Sequence, residues 1–269
     1  MSPEIALPHT SLPLGVALNF PPPKMEIIAH RGASAYYLEN SRQAIIGARN
    51  LGADRAEIDI RITADEVPVV LHDPELGRTT DGEGPLSRHR FRELKEIHLR
   101  NGEPILTLEE ALSLSHALSL PLYLDIKDGE EALEPVIWVL GRFRCAGEIV
   151  ASGNPALLES FHRRNRHIPT SLLVSSTDPE AVEVARGIGA HFIHPCWERE
   201  KNPVGLLRRG FLEVSSRAGL GIVLWHEERP RQLRHIGRLG ERIYGVTTNA
   251  PDLAERILKG HHGTPAKAP

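Results

Sequence analysis

Residues 56–73 read AEIDIRITADEVPVVLHD, and the two apolar, β-branched runs in this stretch decide how the fold must be built. Ala56 to Ile62 and Val67 to His72 are separated only by Thr63-Ala64-Asp65-Glu66. Parallel neighbours need a crossover of about a dozen residues or more, so this pair must form an antiparallel hairpin. With an even-numbered loop centred on Ala64-Asp65, facing residues have numbers summing to 129, which sets Glu57 opposite His72 and Asp59 one pleat further along. Side chains two apart share a face, so Glu57 and Asp59 point the same way while Ala56, Ile58 and Ile60 point the other. If helices cover the apolar face, the acidic face looks inward, where unpaired charge is costly and a bound cation offsets the cost.

Working outward, further apolar runs span Ile27 to His30, Leu122 to Ile126, Ile149 to Ser152, Ser171 to Ser175, Phe192 to His194, Ile222 to Trp225 and Gly245 to Thr248. Helical patterns separate them at Asn40 to Leu51, Leu108 to Leu118, Glu130 to Phe143, Pro155 to Asn165, Pro179 to Ile188, Pro203 to Ala218 and Pro230 to Leu239. Asn154-Pro155 and Asp178-Pro179 are the clearest starts, each a capping residue followed by a first-turn proline. With the hairpin counted as one unit, eight strand–helix units over about 250 residues predict a (β/α)8 TIM barrel, an α/β fold whose chemistry sits at the C-terminal ends of its strands. Residues 74–106 contain Gly77, Gly82, Gly84 and Gly102 and no obvious strand, and read as an insertion acting as a lid or binding loop. The expected division is an extension over 1–24, one barrel domain over 25–260 and a flexible tail over 261–269.

Composition excludes several classes. A net charge of −3 and the lack of a basic, aromatic-laced stripe argue against a nucleic-acid partner. No apolar stretch reaches the roughly 18 residues of a membrane span, so no stable membrane insertion is expected. The proline-rich first two dozen residues lack a basic, apolar signal pattern, and cytoplasm is the default expectation. Cys145 and Cys196, the only two cysteines, have no metal-type spacing and read as small buried hydrophobes. Oligomeric state is not written in these residues.

Polar clusters close several of the apolar runs. His30-Arg31-Gly32 ends the first, joining a histidine that can move a proton, an arginine that can grip a phosphate through two hydrogen bonds, and a glycine that permits close backbone approach. His72-Asp73 ends the hairpin, where the plain alternative is a turn at Asp73-Pro74. Asp125 and Lys127 repeat the i, i+2 spacing, consistent either with a salt bridge or with a metal carboxylate beside a phosphate-binding lysine. His194-Pro195, Trp225-His226 and Thr247-Thr248-Asn249 complete the rim, with Trp225 placed either against a substrate's apolar part or in the core. Two histidines, three carboxylates, an arginine and a lysine can hold a divalent cation and a phosphate, and point to phosphodiester chemistry.

The ordered set AHRGASAYYLENS, EIDIRITADEVPVVLHDPELGRTTDG, ILTLEEAL, PLYLDIKDG and TTNAPD resembles the glycerophosphodiester phosphodiesterase family across about residues 26–258. The resemblance implies a TIM-barrel enzyme that hydrolyses small glycerophosphodiesters to glycerol 3-phosphate and an alcohol with Ca²⁺ or Mg²⁺. It assigns acid–base catalysis to His30 and His72, phosphate binding to Arg31 and Lys127, and metal binding to Glu57, Asp59 and Asp125. Water and the substrate's own glycerol hydroxyl are alternative nucleophiles. Asp125 stands where the family usually has glutamate, His226 where threonine is usual and Asn249 where aspartate is common, while Glu39 remains as a supporting partner. Two alternatives accompany this reading: a lysophospholipase D-like or sphingomyelinase-like enzyme on the same site, and a non-catalytic phosphate-binding barrel.

Overall fold

The computed structural model describes residues 25–145, 147–197, 203–207 and 209–260; the extension 1–24, the tail 261–269 and part of the helix expected over 203–218 lie outside the described residues. Nine strands are present among the described residues: β1 Glu26–Ala29, β2 Arg55–Ile62, β3 Pro68–Val70, β4 Leu122–Ile126, β5 Ile149–Ser152, β6 Thr170–Val174, β7 Phe192–Pro195, β8 Gly221–Leu224 and β9 Gly245–Thr248. Each lies within two residues of its expected bounds. The helices are α1 Arg42–Asn50, α2 Phe91–Leu94, α3 Leu108–Leu118, α4 Leu133–Leu140, α5 Pro155–Arg164, α6 Pro179–Gly187, α7 Arg209–Arg217, α8 Pro230–Gly237 and α9 Pro251–Leu258. Helix α9 lies beyond the helices expected from the sequence, although Pro251 opens it at the first turn and its apolar residues recur with helical spacing. The expected starts at 155 and 179 hold; Asn154 caps its helix through its side chain, whereas Asp178 makes no such bond.

Strands β1, β2 and β4 to β9 close into a parallel barrel, in the order β1-β9-β8-β7-β6-β5-β4-β2, with β1 returning to pair with β2. The antiparallel β3 is accommodated because β1 bonds only the lower end of β2, at Arg55 and Ala56, leaving Ile60 to Ile62 free to pair with β3. The expected hairpin is therefore real, but its register is not the expected one. Ile60 faces Val70, Arg61 faces Val69 and Ile62 faces Pro68, so facing numbers sum to 130. The loop holds an odd number of residues: Thr63 N–H donates to Val67 O at 3.1 Å, and Glu66 sits in the left-handed region at φ 61°. A one-residue slip exchanges the faces of a strand. Val70 joins Ile60 in the core beneath the helices, while Val69 and Leu71 enter a separate apolar cluster.

That second cluster gives the insertion a core of its own. Leu76, Leu86, Leu94, Leu99 and Ile105 are buried with Val69 and Leu71, so residues 74–106 pack as a small unit against the hairpin. The main core lies between barrel and helices and contains Ala56, Ile58 and Ile60, while Glu57 and Asp59 are fully buried on the opposite, inward face, as alternation predicted. Inside the barrel, Ile28, Tyr123, Ile149, Phe192 and Val223 fill the lower layers. Cys145 and Cys196 are half-buried rather than buried and form no disulfide. No helix among the described residues is long and apolar enough to cross a membrane.

Candidate active site

The site begins where β1 ends. His30 N–H still bonds Thr248 O of β9 at 2.8 Å, after which Arg31 and Gly32 take consecutive left-handed conformations at φ 54° and 78°. Gly32 is required, since a Cβ there would stand 2.5 Å from the backbone carbon of Ala44. For Arg31 the conformation costs about 1–3 kcal/mol. It is held by Glu57, whose Oε2 accepts the Arg31 backbone N–H at 2.6 Å and whose carbonyl accepts that of Gly32 at 3.1 Å. One acidic residue thus fixes both the turn and the direction of the arginine.

Glu57 and Asp59 of β2 and Asp125 of β4 meet because Asp59 and Asp125 are direct neighbours across the parallel ladder. Their ligand oxygens lie within 4.8 Å of one another and all three residues are buried. Burial, and then the neighbouring Asp59, pushes the Glu57 carboxyl well above the usual range. Burial also raises Asp125 despite the adjacent Lys127. Burial works the same way on Asp59, but Lys127 and Arg31 outweigh it and hold that carboxyl below its ordinary value. Lys127 Nζ bonds Asp125 and lies 3.0 Å from Asp59 Oδ1, so the salt bridge and the carboxylate cluster coexist. Asn40 adds a reciprocal pair: its Nδ2 donates to Asp59 Oδ2 at 2.8 Å, and the Asp59 backbone N–H donates to Asn40 Oδ1 at 3.2 Å.

The two histidines reach the cluster by different routes. His30 is buried with Nδ1 engaged by Asn249 Oδ1 at 2.7 Å, packed edge-on to Trp225 and face to face with His226. Burial, then the charges of Arg31 and His226, lower its pKa to about 3. His72 is not delivered by strand pairing as the sequence arithmetic required. The ladder ends at Leu71, whose N–H bonds Asp59 O at 3.1 Å, and in the observed register a continuing strand would turn His72 away from Glu57. The chain bends instead, with the His72 carbonyl accepting from Arg61 Nε at 2.6 Å, and the imidazole lies near enough to oppose part of the effect of burial on the Asp59 and Asp125 carboxyls. Its Nδ1 contacts Asp73 Oδ1 at 2.6 Å, and a hydrogen bond from Arg78 holds the Asp73 carboxyl down at about 2.

Trp225 is buried, 4.8 Å from His30, 5.1 Å from the buried His194 and 5.6 Å from Lys127 Nζ, and forms the wall between them. His194 bonds Tyr123 Oη at 2.7 Å. Buried polar atoms without a hydrogen-bond partner gather here: His30 Nε2, Glu57 Oε1 and His194 Nε2, while Arg31 Nε and Asp59 Oδ1 have ion-pair contacts only, at 3.3 Å from Asp59 Oδ2 and 3.0 Å from Lys127 Nζ. Buried polar groups are ordinarily satisfied, so such a concentration marks a place where another molecule belongs. The carboxylate set offers only oxygen donors and, when fully ionised, three negative charges against the two positive charges of Arg31 and Lys127, and this fits a hard divalent cation. Asn40 and Arg78 were not singled out in the sequence; neither sits at a strand end or follows a periodic pattern.

Comparison with known proteins agrees with this fold. The model of the glycerophosphoryl diester phosphodiesterase family matches residues 30–253. A glycerophosphodiester phosphodiesterase of Caldanaerobacter subterraneus is 26% identical over 250 residues, covering 88% of this chain and 99% of its own. Glycerophosphodiester phosphodiesterase 1 of Homo sapiens is 32% identical over 165 residues, or 56% of this chain, which spans about half of that protein (50%). Among solved structures, an Oleispira antarctica phosphodiesterase in complex with sn-glycerol-3-phosphate superposes with a TM-score of 0.76 at 21% identity, over 87% of this chain and 96% of that one.

Proposed function

The chain belongs to the glycerophosphoryl diester phosphodiesterase family, and on that footing we propose that it hydrolyses glycerophosphodiesters to glycerol 3-phosphate and an alcohol. It is a phosphoric diester hydrolase. The observation that supports the finer reading is the buried all-oxygen carboxylate triad, with two cationic side chains against it and unsatisfied buried atoms around it.

In this reading Glu57, Asp59 and Asp125 would hold Ca²⁺ or Mg²⁺, which would supply Lewis-acid stabilisation of the phosphoryl group. Arg31 and Lys127 clamp the phosphoryl group, and Glu39 aims Arg31 by accepting from its guanidinium at 2.9 Å. His30 has one ring nitrogen engaged and the other, Nε2, available to take or give a proton. His72, oriented by Asp73, does the opposite transfer, so one imidazole receives the proton of the attacking hydroxyl and the other delivers one to the leaving alkoxide. Trp225 closes the pocket over the glycerol side and excludes water. The barrel over 25–260 carries this chemistry, with the insertion 74–106 bordering its mouth.

The test is a metal-supplemented assay over a panel of glycerophosphodiesters, reading released glycerol 3-phosphate. Release from glycerophosphocholine or a related small diester supports the proposal. Activity confined to lysophosphatidylcholine transfers it to a lysophospholipase D-like enzyme, and silence on both refutes it. Trapping of a cyclic glycerophosphate would identify the substrate's own hydroxyl as nucleophile.

A further inference from the structure

Arg78 lies in the insertion, five residues beyond Asp73, with its guanidinium half exposed at the mouth of the site. It engages two carboxylates at once. Nε and Nη2 donate to the two oxygens of Asp73, the second at 3.2 Å, while Nη1 and Nη2 donate to the two oxygens of Glu39 at 2.9 and 2.6 Å. Each carboxylate in turn holds a residue of the pocket: Asp73 holds His72 Nδ1, and Glu39 holds Arg31 Nη1. A continuous chain, His72-Asp73-Arg78-Glu39-Arg31, therefore spans the mouth. Arg100 fixes the Arg78 end by donating to the carbonyls of Arg78 at 2.9 Å and Gly77 at 2.6 Å.

We propose that Arg78 is a positioning residue that sets His72 and Arg31 in a common frame, and that through it the insertion organises the reaction instead of merely covering it. The inference rests on the roles given above to His72 and Arg31. A planar guanidinium with several donors can satisfy two carboxylates simultaneously, which a single ammonium charge cannot do with the same geometry. Without Arg78, Asp73 and Glu39 face one another's charge across the mouth and each loses the partner that fixes its rotamer. His72 then loses orientation for proton transfer, and Arg31 loses its aim at the phosphoryl group. None of this requires Arg78 to touch substrate.

The experiment compares Arg78→Met and Arg78→Lys with Asp73→Asn and Glu39→Gln, each checked for folding by circular dichroism. Arg78→Met should lower kcat/KM by about 10-fold or more, the range seen when partners of active-site ligands are removed. Asp73→Asn should reproduce mainly its kcat component and Glu39→Gln mainly its KM component, with Arg78→Lys recovering only part. In a His72→Ala background the kcat loss from Arg78→Met should vanish, because the two changes act on one element. Wild-type-like kinetics in Arg78→Met, or a full loss added on top of His72→Ala, overturns the proposal. A second readout is independent of substrate: the ¹⁵N shifts of the neutral His72 imidazole should report one tautomer in the wild type and a mixture in Arg78→Met. An unchanged spectrum overturns it even if the wild type is silent on every diester, an outcome that by itself counts only against the functional reading.

Discussion

The imidazole of His226 lies face to face on that of His30, ring centroids 4.8 Å apart and planes 16° from parallel. The same residue lies 3.7 Å from Glu228, which accepts the Asn249 backbone N–H at 2.7 Å, while the Asn249 side chain engages His30. His30 is therefore held from two sides by neighbouring residues of one rim. Burial is the largest cause of its lowered pKa, Arg31 the next and His226 the third, with Asp59 and Asn249 opposing them.

Replacing His226 by threonine removes one of the groups that lower the His30 pKa and part of the ring that covers it, and both changes act in the same direction. The His30 pKa should rise part of the way from about 3 towards 6.5. Whichever limb of the pH–rate profile His30 governs should accordingly move to higher pH, whether the residue acts as acid or base. Profiles of kcat/KM for wild type and His226→Thr decide this, and an unmoved or acid-shifted limb contradicts it.

Cation binding should release protons. Glu57 and Asp125 have raised pKa values in the metal-free protein, and a divalent cation favours their ionised forms. Titration calorimetry over a series of pH values, in two buffers of different ionisation enthalpy, should give apparent enthalpies that differ by the protons released, an effect that shrinks as pH rises. Asp125→Asn should weaken the binding. Identical enthalpies in both buffers would mean the triad is already fully ionised.

Asn40→Ala leaves the Asp59 backbone N–H and one carboxylate oxygen without their buried partner. The expected cost is about 1–3 kcal/mol in chemical denaturation. Metal affinity should fall about 10- to 100-fold, as it does when groups that orient ligands are lost. Unchanged affinity would show that Lys127 and Arg31 alone position Asp59.

His30→Ala and His72→Ala should each reduce turnover by roughly 10²-fold or more while leaving a folded barrel. Chelation should abolish the wild-type reaction. Either variant retaining near-normal kcat removes that histidine from proton transfer, and full activity in metal-free buffer removes the cation.

Much of this protein is legible without coordinates because its signals are local. Period-2 alternation assigns Glu57 and Asp59 to one face and Ala56, Ile58 and Ile60 to the other, and the structure keeps that assignment. A four-residue gap between two apolar runs forbids a parallel crossover whatever lies elsewhere. The hairpin register failed for a physical reason: facing parity depends on how many residues the turn absorbs. Glu66, a non-glycine residue in the left-handed region, allowed one more than the shortest loop. His72 still approaches the carboxylates, but through a bend held by Arg61 rather than through the pleat.

The sequence by itself determined the barrel, the inward acidic face and the strand ends that carry chemistry, since each follows from spacing within a few residues. The tertiary structure alone decided the rest: the side-chain bond from Asn40 to Asp59, the stack of His226 on His30, the reach of Asn249 to a histidine 219 residues away, and the Arg78 bridge. These contacts join elements that become neighbours only when the barrel closes and the insertion folds down onto its mouth. Closure is fixed by the burial of the whole core, and no local pattern encodes which polar atoms it will bring within hydrogen-bonding distance.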